Sequence, residues 1–175
     1  MTVVSTGLPS VIVVTGPPAS GKTTLARAIA GALGWPLLAK DDIKETLFDT
    51  LGIGDREWSH RLGAASMELL SKLVREQLEA GRDVVAEANF RWPSDLPDCR
   101  VVQVFCDAPA EVLLERIRTR TRHPGHLEDD PEHLAAVEES LRADYAPLPL
   151  DGSLLRYSVG DDVDSLIEEV RRCVL

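Results

Sequence analysis

Apolar and polar residues follow two periodicities along the chain, and their alternation predicts an α/β fold with a parallel sheet. Short apolar runs, typical of buried strands, are each followed by longer segments with apolar residues at helical spacing. Strands are predicted at about 11–14, 36–39, 83–87, 100–105 and 154–159. Helices are predicted at about 23–33, 43–48, 59–80, 109–120, 131–145 and 163–174. This order is typical of a parallel sheet with helices on both faces.

Glycine and proline mark where several of these elements end. Gly34 and Gly81 each follow a predicted helix and fit the C-cap position. Pro124 and Gly125 fall in the stretch 121–130, whose mixed charges predict a mobile surface segment. No linker, repeat or low-complexity tract divides the series, so we expect a single domain over residues 1–175.

Charge limits the classes of partner. The chain has 19 basic and 29 acidic residues, a formal net charge of -10, and 44% hydrophobic residues. This composition is that of a globular protein, and the negative charge would repel a polyanion. We therefore expect no nonspecific nucleic-acid binding.

The cysteines and the first residues bear on location. Cys99, Cys106 and Cys173 have no CxxC spacing, so neither a disulfide framework nor a zinc site is predicted. Residues 1–9 lack a basic region, and the apolar run 11–14 is too short to cross a membrane. The expectation is a cytoplasmic protein without a membrane partner.

The strongest chemical signal is the stretch 16–23, Gly-Pro-Pro-Ala-Ser-Gly-Lys-Thr, which fits the pattern G-x-x-x-x-G-K-[ST] between a strand and a helix. Backbone N–H groups of such a loop surround phosphate. Lys22 can reach the β- and γ-phosphates, and the Thr23 hydroxyl can bind Mg²⁺. A loop without a ligand would not explain this Lys and Thr in register. The predicted nucleotide-contacting residues are Gly16, Pro17, Ala19, Ser20, Gly21, Lys22, Thr23 and Thr24.

With this motif and element order, the chain resembles the P-loop kinases of the adenylate kinase, shikimate kinase, chloramphenicol phosphotransferase, zeta-toxin and polynucleotide kinase group. The resemblance covers nearly the whole chain in element order. It implies a three-layer P-loop NTPase fold with a five-stranded parallel sheet in the order 2-3-1-4-5. It also implies a small helical lid at about 119–131 and transfer of the γ-phosphate of ATP, with Mg²⁺, to an acceptor.

An acidic pair follows the second predicted strand, where ligands of open α/β sheets bind. Lys40-Asp41-Asp42-Ile43-Lys44 resembles the Asp-Asp-x-Arg segment of polynucleotide kinases, in which the first Asp takes the proton of the acceptor hydroxyl. Asp41 is thus the expected general base or hydroxyl-orienting group, and Asp42 is the alternative. Lys44 stands in place of the family arginine as an acceptor contact. An Asp N-cap with an acidic first turn also accounts for the pair.

Glu87 and Arg91 end the third predicted strand with the spacing of an acid and an arginine in adenylate kinases. The resemblance implies that Glu87 supports Mg²⁺ through water. It also implies that Arg91 contacts phosphate or the acceptor. The alternative is a polar strand end followed by a solvated arginine.

Arginines cluster before and within the 121–130 segment. Arg116 and Arg120 are four residues apart and share a helix face. The resemblance implies adenine stacking by Arg116, and phosphate contact during transfer by Arg120 or Arg122. The alternative is that these arginines only favour the helix dipole and solubility.

Three histidines lie near these arginines. His123, His126 and His133 are separated by a Pro-Gly turn and match no standard zinc pattern. They are therefore predicted to lie on the surface.

Three functions are consistent with these features. The first is an ATP-dependent kinase for a hydroxyl of a small molecule such as a nucleoside, a sugar derivative or an antibiotic. The second is a polynucleotide 5′-hydroxyl kinase, which the negative charge opposes, or a toxin-type kinase of nucleotide-sugars. The third is a nucleotide-binding switch or ATPase, which would need GTPase specificity motifs or further domains that the sequence does not show.

Overall fold

The computed structural model describes residues 7–89, 96–127, 130–142 and 145–174, and all the predicted strands and helices are present in it. The strands are β1 (Ser10–Thr15), β2 (Leu37–Ala39), β3 (Val84–Glu87), β4 (Arg100–Asp107) and β5 (Ser153–Ser158). The helices are α1 (Lys22–Leu33), α2 (Lys40–Leu51), α3 (Arg56–Glu79), α4 (Ala110–Thr119), α5 (Pro131–Arg142) and α6 (Val163–Val174). A 3-10 turn, Pro124–His126, lies between α4 and α5. None of the described helices combines the length and the apolar character needed to cross a membrane.

The strands form one parallel sheet in the order β2-β3-β1-β4-β5, which confirms the expected fold. The central strand β1 contributes side chains to the cores on both faces of the sheet, under the two layers of helices. Ile12 and Val14 belong to the core under α1 and α6, whereas Val11 and Val13 belong to the core under α3. All four side chains are fully buried, because alternate residues of a strand point to opposite faces.

This strand order brings three carboxyl ends together. In the sheet, Glu87 at the end of β3 pairs with Val14 of β1 on one side and with Ala39 of β2 on the other. The chain leaves β1 into the 16–23 loop and leaves β2 directly into α2. The three predicted chemical segments therefore meet at one edge of the sheet.

Helix α2 begins at Lys40, earlier than predicted, and this start decides whether Asp41 can be the N-cap of the helix. Its N-cap is Ala39, for which no capping hydrogen bond from a side chain is found in the described structure. Asp41 and Asp42 lie in the first turn, where they favour the helix dipole. The alternative in which an Asp caps the helix is therefore wrong, although its acidic first turn is present.

The turn at 124–126 packs against α2, contrary to the predicted surface segment. Gly125 and His126 are buried, and a Cβ built on Gly125 would lie 2.4 Å from the ring of Phe48. The His123 ring stacks on the same phenylalanine, with ring centroids 5.4 Å apart. The surface prediction was therefore wrong for His126, because contacts with a distant helix bury a turn that its own Pro-Gly sequence marks as exposed.

Candidate active site

The loop between β1 and α1 has the backbone geometry of a phosphate cradle. Gly16 has a φ of 139°, and a Cβ there would lie 2.1 Å from the carbonyl oxygen of Cys106 at the end of β4. Ala19 and Gly21 also have positive φ, at 63° and 91°. Alternation of left- and right-handed residues turns successive N–H groups towards one point, which is how backbone binds anions.

Lys22 begins α1 inside this loop. Its side chain is 7% exposed, and its Nζ donates a hydrogen bond to the carbonyl oxygen of Pro17 at 2.7 Å. Burial lowers its pKa, and the nearby Arg120 lowers it further, against the opposing charge of Glu87. An anion placed in the loop would compensate for that cost of burial.

Ser20 carries an unsatisfied polar atom. Its Oγ is buried and has no hydrogen-bond partner among the described residues, a state that disfavours folding unless a ligand completes it. Phosphate oxygens are acceptors that the hydroxyl could reach from within the loop. This observation supports the interpretation of the loop as a site for a phosphorylated ligand.

Thr23 and Glu87 form the second part of the site. The Thr23 hydroxyl donates to Oε2 of Glu87 at 3.2 Å, and the glutamate is 3% exposed. Burial raises the pKa of Glu87, while Lys22 opposes that shift. A hydroxyl beside a carboxylate is an oxygen donor set that fits Mg²⁺. No group of three or more His, Cys, Asp or Glu within the described ranges could hold a metal alone, so nucleotide phosphates would have to complete the coordination.

Asp41 faces these groups across the cleft. It accepts from Arg122 at 2.5 Å and lies 3.4 Å from Nζ of Lys40. Burial alone would raise its pKa, but the charges of Lys40 and Arg122 outweigh burial and hold the pKa of Asp41 at about 2. Asp42 points elsewhere, to the exposed guanidinium of Arg27 at 3.2 Å. The structure therefore places Asp41, and not Asp42, in the wall of the cleft.

These groups line one open cleft of about 400 Å³. The arginines after the fourth strand divide between this cleft and the surface. Arg116, Arg120 and Arg122 line the cleft, and Arg116 also donates to the carbonyl oxygen of Ala19 at 3.2 Å. Arg118 is bonded instead to Glu138 at 2.6 Å. Three arginines thus share this cleft with the phosphate loop.

The 124–126 turn is fastened to α2 and α3 beside this cleft. Lys44 donates from Nζ to the Ser59 hydroxyl at 2.9 Å, and that hydroxyl donates to the carbonyl oxygen of Gly125 at 3.1 Å. His126 Nε2 lies 2.9 Å from Oε1 of Glu45. Burial and the charge of Arg122 lower the pKa of His126 to about 3, so the ring is neutral at ordinary pH.

The structure brings together nearly all the residues that the sequence singled out. Lys22, Thr23, Thr24, Glu87 and the cleft arginines share the main cavity, whereas Arg91 lies outside the described residues. Sequence reasoning missed Ser59, which joins Lys44 to the turn. A single serine in a long amphipathic helix carries no local signal of such a role, because its partner Gly125 is 66 residues away.

Comparison with known proteins agrees with this geometry. A family model described as AAA domain matches residues 11–146. A solved structure of a proposed kinase from Chloroflexus aurantiacus is 38% identical and has a TM-score of 0.87, covering 97% of this chain and 100% of that one. Shikimate kinase from Halorhodospira halophila is 32% identical over 148 residues, which are 80% of this chain and 78% of that protein.

A cytidylate kinase from Pyrobaculum neutrophilum is also similar, at 32% identity over 115 residues. The aligned part is 64% of this chain but 61% of that enzyme, so the chain spans less than two thirds of its length. The similar proteins are thus kinases that act on chemically different acceptors. Similarity alone leaves the acceptor open, and the choice has to be argued from the pocket.

Proposed function

The chain belongs to the AAA domain family, and from this premise we propose that it is an ATP-dependent kinase that transfers the γ-phosphate of ATP to a hydroxyl of a small molecule. The observation that carries the proposal is the position of Asp41. Its carboxylate shares a cleft with the phosphate loop, although it follows a different strand. A kinase needs such a group opposite the phosphates to hold the attacking hydroxyl, whereas simple nucleotide binding does not.

The phosphate loop holds the nucleotide in this proposal. The N–H groups of residues 16–23 bind the β- and γ-phosphates, and Lys22 exchanges the Pro17 carbonyl for phosphate oxygens. Arg120 and Arg122 approach the transferring group from the opposite wall of the cleft. Arg116 lies beside the loop, next to a cavity that Tyr157 and Val159 also line and that would accept the base. The 119–131 segment then acts as the lid.

Thr23 and Glu87 would hold Mg²⁺ together with the phosphates, Thr23 through its hydroxyl and Glu87 through water. The ion would neutralise charge that develops on the transferring phosphoryl group. Glu87 is buried between two strands, so its carboxylate keeps one position. The residues present therefore fit the metal that ATP-dependent transfer requires.

Asp41 orients the acceptor hydroxyl in this proposal and takes its proton. With a pKa of about 2, it is ionised at every ordinary pH and is a strong hydrogen-bond acceptor but a weak base. In the loose transition state of phosphoryl transfer there is little need for early deprotonation. Holding the oxygen in line is therefore the larger part of its role.

The test is ADP release with Mg·ATP across nucleosides, sugars, sugar acids, aminoglycosides, nucleotide-sugars and short oligonucleotides. We expect one class of small molecule to stimulate release. Asp41→Asn should reduce that stimulated rate by about 10²- to 10⁴-fold, whereas the matched variant Asp42→Asn should keep it. Equal rates for Asp41→Asn and the parent protein would refute the role of Asp41. Stimulation by oligonucleotides would favour a polynucleotide kinase. If no acceptor stimulates ADP release, a nucleotide switch would be favoured instead.

A further inference from the structure

A second, smaller cavity of about 180 Å³ extends from the cleft beyond Asp41. Lys40, Asp41, Arg120 and Arg122 line both cavities, so the two are continuous. The far wall of the smaller cavity comes from α2, α3 and the 124–126 turn, and includes Lys44, Arg56, Ser59 and His126. Of the phosphate loop, Pro18 alone is among its described lining residues, and Glu87 is not among them. We therefore call this cavity the acceptor pocket.

The acceptor pocket is cationic in a strongly acidic chain. Among its described lining residues the cations are Lys40, Lys44, Arg56, Arg120 and Arg122, and the one carboxylate is Asp41. The whole chain carries a formal charge of -10. Positive side chains gathered around one small cavity repel one another and are stabilised by an anion in their midst.

The described contacts place these cations in two groups, one near the phosphate loop and one in the wall of the acceptor pocket. Arg120 lies near Lys22 and the phosphate loop, on the nucleotide side. Lys44 and Arg56 line the acceptor pocket and are not among the described residues of the main cleft. Arg56 is otherwise engaged by Glu132 at 3.7 Å, an exposed ion pair that contributes little stability and is readily exchanged. Lys44 is held by Ser59 with its ammonium at the pocket wall.

Resting on the proposed function, we propose that the acceptor is a small hydroxylated anion whose carboxylate or phosphate group binds Lys44 and Arg56 while its hydroxyl faces Asp41. Arg56 supplies the planar donor pair that suits either anion, and Lys44 supplies a second charge. In the transfer, the hydroxyl oxygen forms a bond to the γ-phosphorus as the bond from that phosphorus to the ADP oxygen breaks. The hydroxyl proton passes to Asp41 and then to solvent.

The volume of the pocket limits the size of the acceptor. The acceptor pocket has a volume of about 180 Å³. This is below the range of ~300 Å³ and above that is typical for drug-sized ligands. A sugar acid or a sugar phosphate suits such a space better than an aminoglycoside does.

The kinetic test uses matched pairs that differ in the anionic group. These are gluconate and sorbitol, shikimate and its methyl ester, and ribose 5-phosphate and ribose, each assayed by ADP release with Mg·ATP. We expect the charged member of one pair to have a kcat/KM more than tenfold above its neutral partner. The carboxylate and phosphate pairs show which anion the pocket takes. Equal or better use of the neutral members would overturn the inference.

Arg56→Met is the test variant, because the Arg56 side chain is 43% exposed and its loss threatens the fold less than loss of the buried Lys44. Removing one charge-assisted hydrogen bond should raise the KM for the anionic acceptor by about 10- to 100-fold, with little effect on the neutral partner. Lys72→Met, which removes an equal charge from the exposed face of α3, is the control and should leave both KM values unchanged. Equal effects of Arg56→Met on both members of a pair would contradict the inference.

Direct binding separates this inference from the proposed function. Calorimetric titration of gluconate, orthophosphate and sorbitol into the protein with Mg·ADP needs no turnover. Anion binding that Arg56→Met weakens, without any stimulated ADP release, would uphold the pocket and refute the kinase proposal. Turnover of a neutral acceptor without anion binding would uphold the kinase proposal and refute the pocket.

Discussion

The two halves of the cleft are built in different ways. The nucleotide half centres on a loop of eight consecutive residues, 16–23, whose backbone is proposed to do most of the binding. The acceptor half is assembled from side chains far apart in sequence: Arg122 meets Asp41 across 81 residues, and Ser59 meets Gly125 across 66. The loop itself is therefore formed by β1 and α1, whereas the wall of the acceptor pocket also needs the docked 124–126 turn.

Among changes that test this contrast between the two halves of the cleft, the largest loss of activity is expected from replacing Lys22. Lys22→Met should lower kcat by about 10³-fold or more, since it removes charge stabilisation of the transferring phosphoryl group. The melting temperature should not fall, because burial already lowers the pKa of this lysine and an uncharged side chain is less costly there. Steady-state kinetics and thermal unfolding check both parts. Retained activity would show that the loop does not bind phosphate as proposed.

The next largest effect is a loss of stability at Gly16. Gly16→Ala forces a Cβ to 2.1 Å from the Cys106 carbonyl oxygen at a φ of 139° and should reduce the free energy of unfolding by about 3 kcal/mol. Gly31→Ala is the control, since no described atom lies within 4 Å of its Cβ position inside α1. That change should raise stability by about 0.5–1 kcal/mol. Urea unfolding measures both, and equal stabilities would show that the close packing of loop on β4 is not needed.

A smaller effect should follow from loosening the docked turn. Gly125→Ala places a Cβ 2.4 Å from the Phe48 ring, so it should raise the KM for the acceptor by about tenfold while the dissociation constant of ATP changes little. Phe48→Leu should partly restore the KM when added to Gly125→Ala, because it makes room for the methyl group. An equal loss of ATP and acceptor affinity would remove the distinction between the two halves.

The smallest effect concerns pH. Burial, and then the charge of Lys40, lower the pKa of Lys44 to about 8; Asp41 opposes this shift and Arg122 adds to it. A lowered lysine pKa means that the positive charge is present below pH 8 and is lost above it. The kcat/KM for an anionic acceptor should therefore fall severalfold, at most about tenfold, between pH 7 and 9. Asp41 and His126, with pKa values of about 2 and about 3, do not titrate there.

The matched variant for this profile is Lys44→Arg, which keeps a charge at every ordinary pH. It should flatten the decline between pH 7 and 9. A decline of the same size in Lys44→Arg would assign the titration to another group.

The contrast between consecutive residues and residues far apart in sequence also explains what the sequence could predict. Local patterns were sufficient for the phosphate loop, for Gly34 as a C-cap with a φ of 70°, and for α6 at 163–174. The strand order came from family resemblance, because periodicity describes one element at a time and says little about its neighbours. The roles of the site residues remain predictions, although the structure places most of them in one cleft.

Where the sequence misled, the deciding contacts were between distant segments. The Pro-Gly sequence at 124–125 favours an exposed turn, yet Phe48 and Glu45 of α2 bury His126. The alternative N-cap interpretation of Asp41 failed because β2 passes directly into α2 at Lys40 without a loop. Neither outcome follows from the residues of the segment itself.

The chain of hydrogen bonds from Lys44 through Ser59 to the Gly125 carbonyl has a consequence for turnover. An acceptor anion on Lys44 fixes one end of that chain, so acceptor binding and docking of the turn favour each other by the same factor. In the proposed complex the phosphorylated product keeps that anion, so its release is coupled to undocking of the turn by the same linkage. We therefore expect product release, rather than phosphate transfer, to limit the rate of turnover.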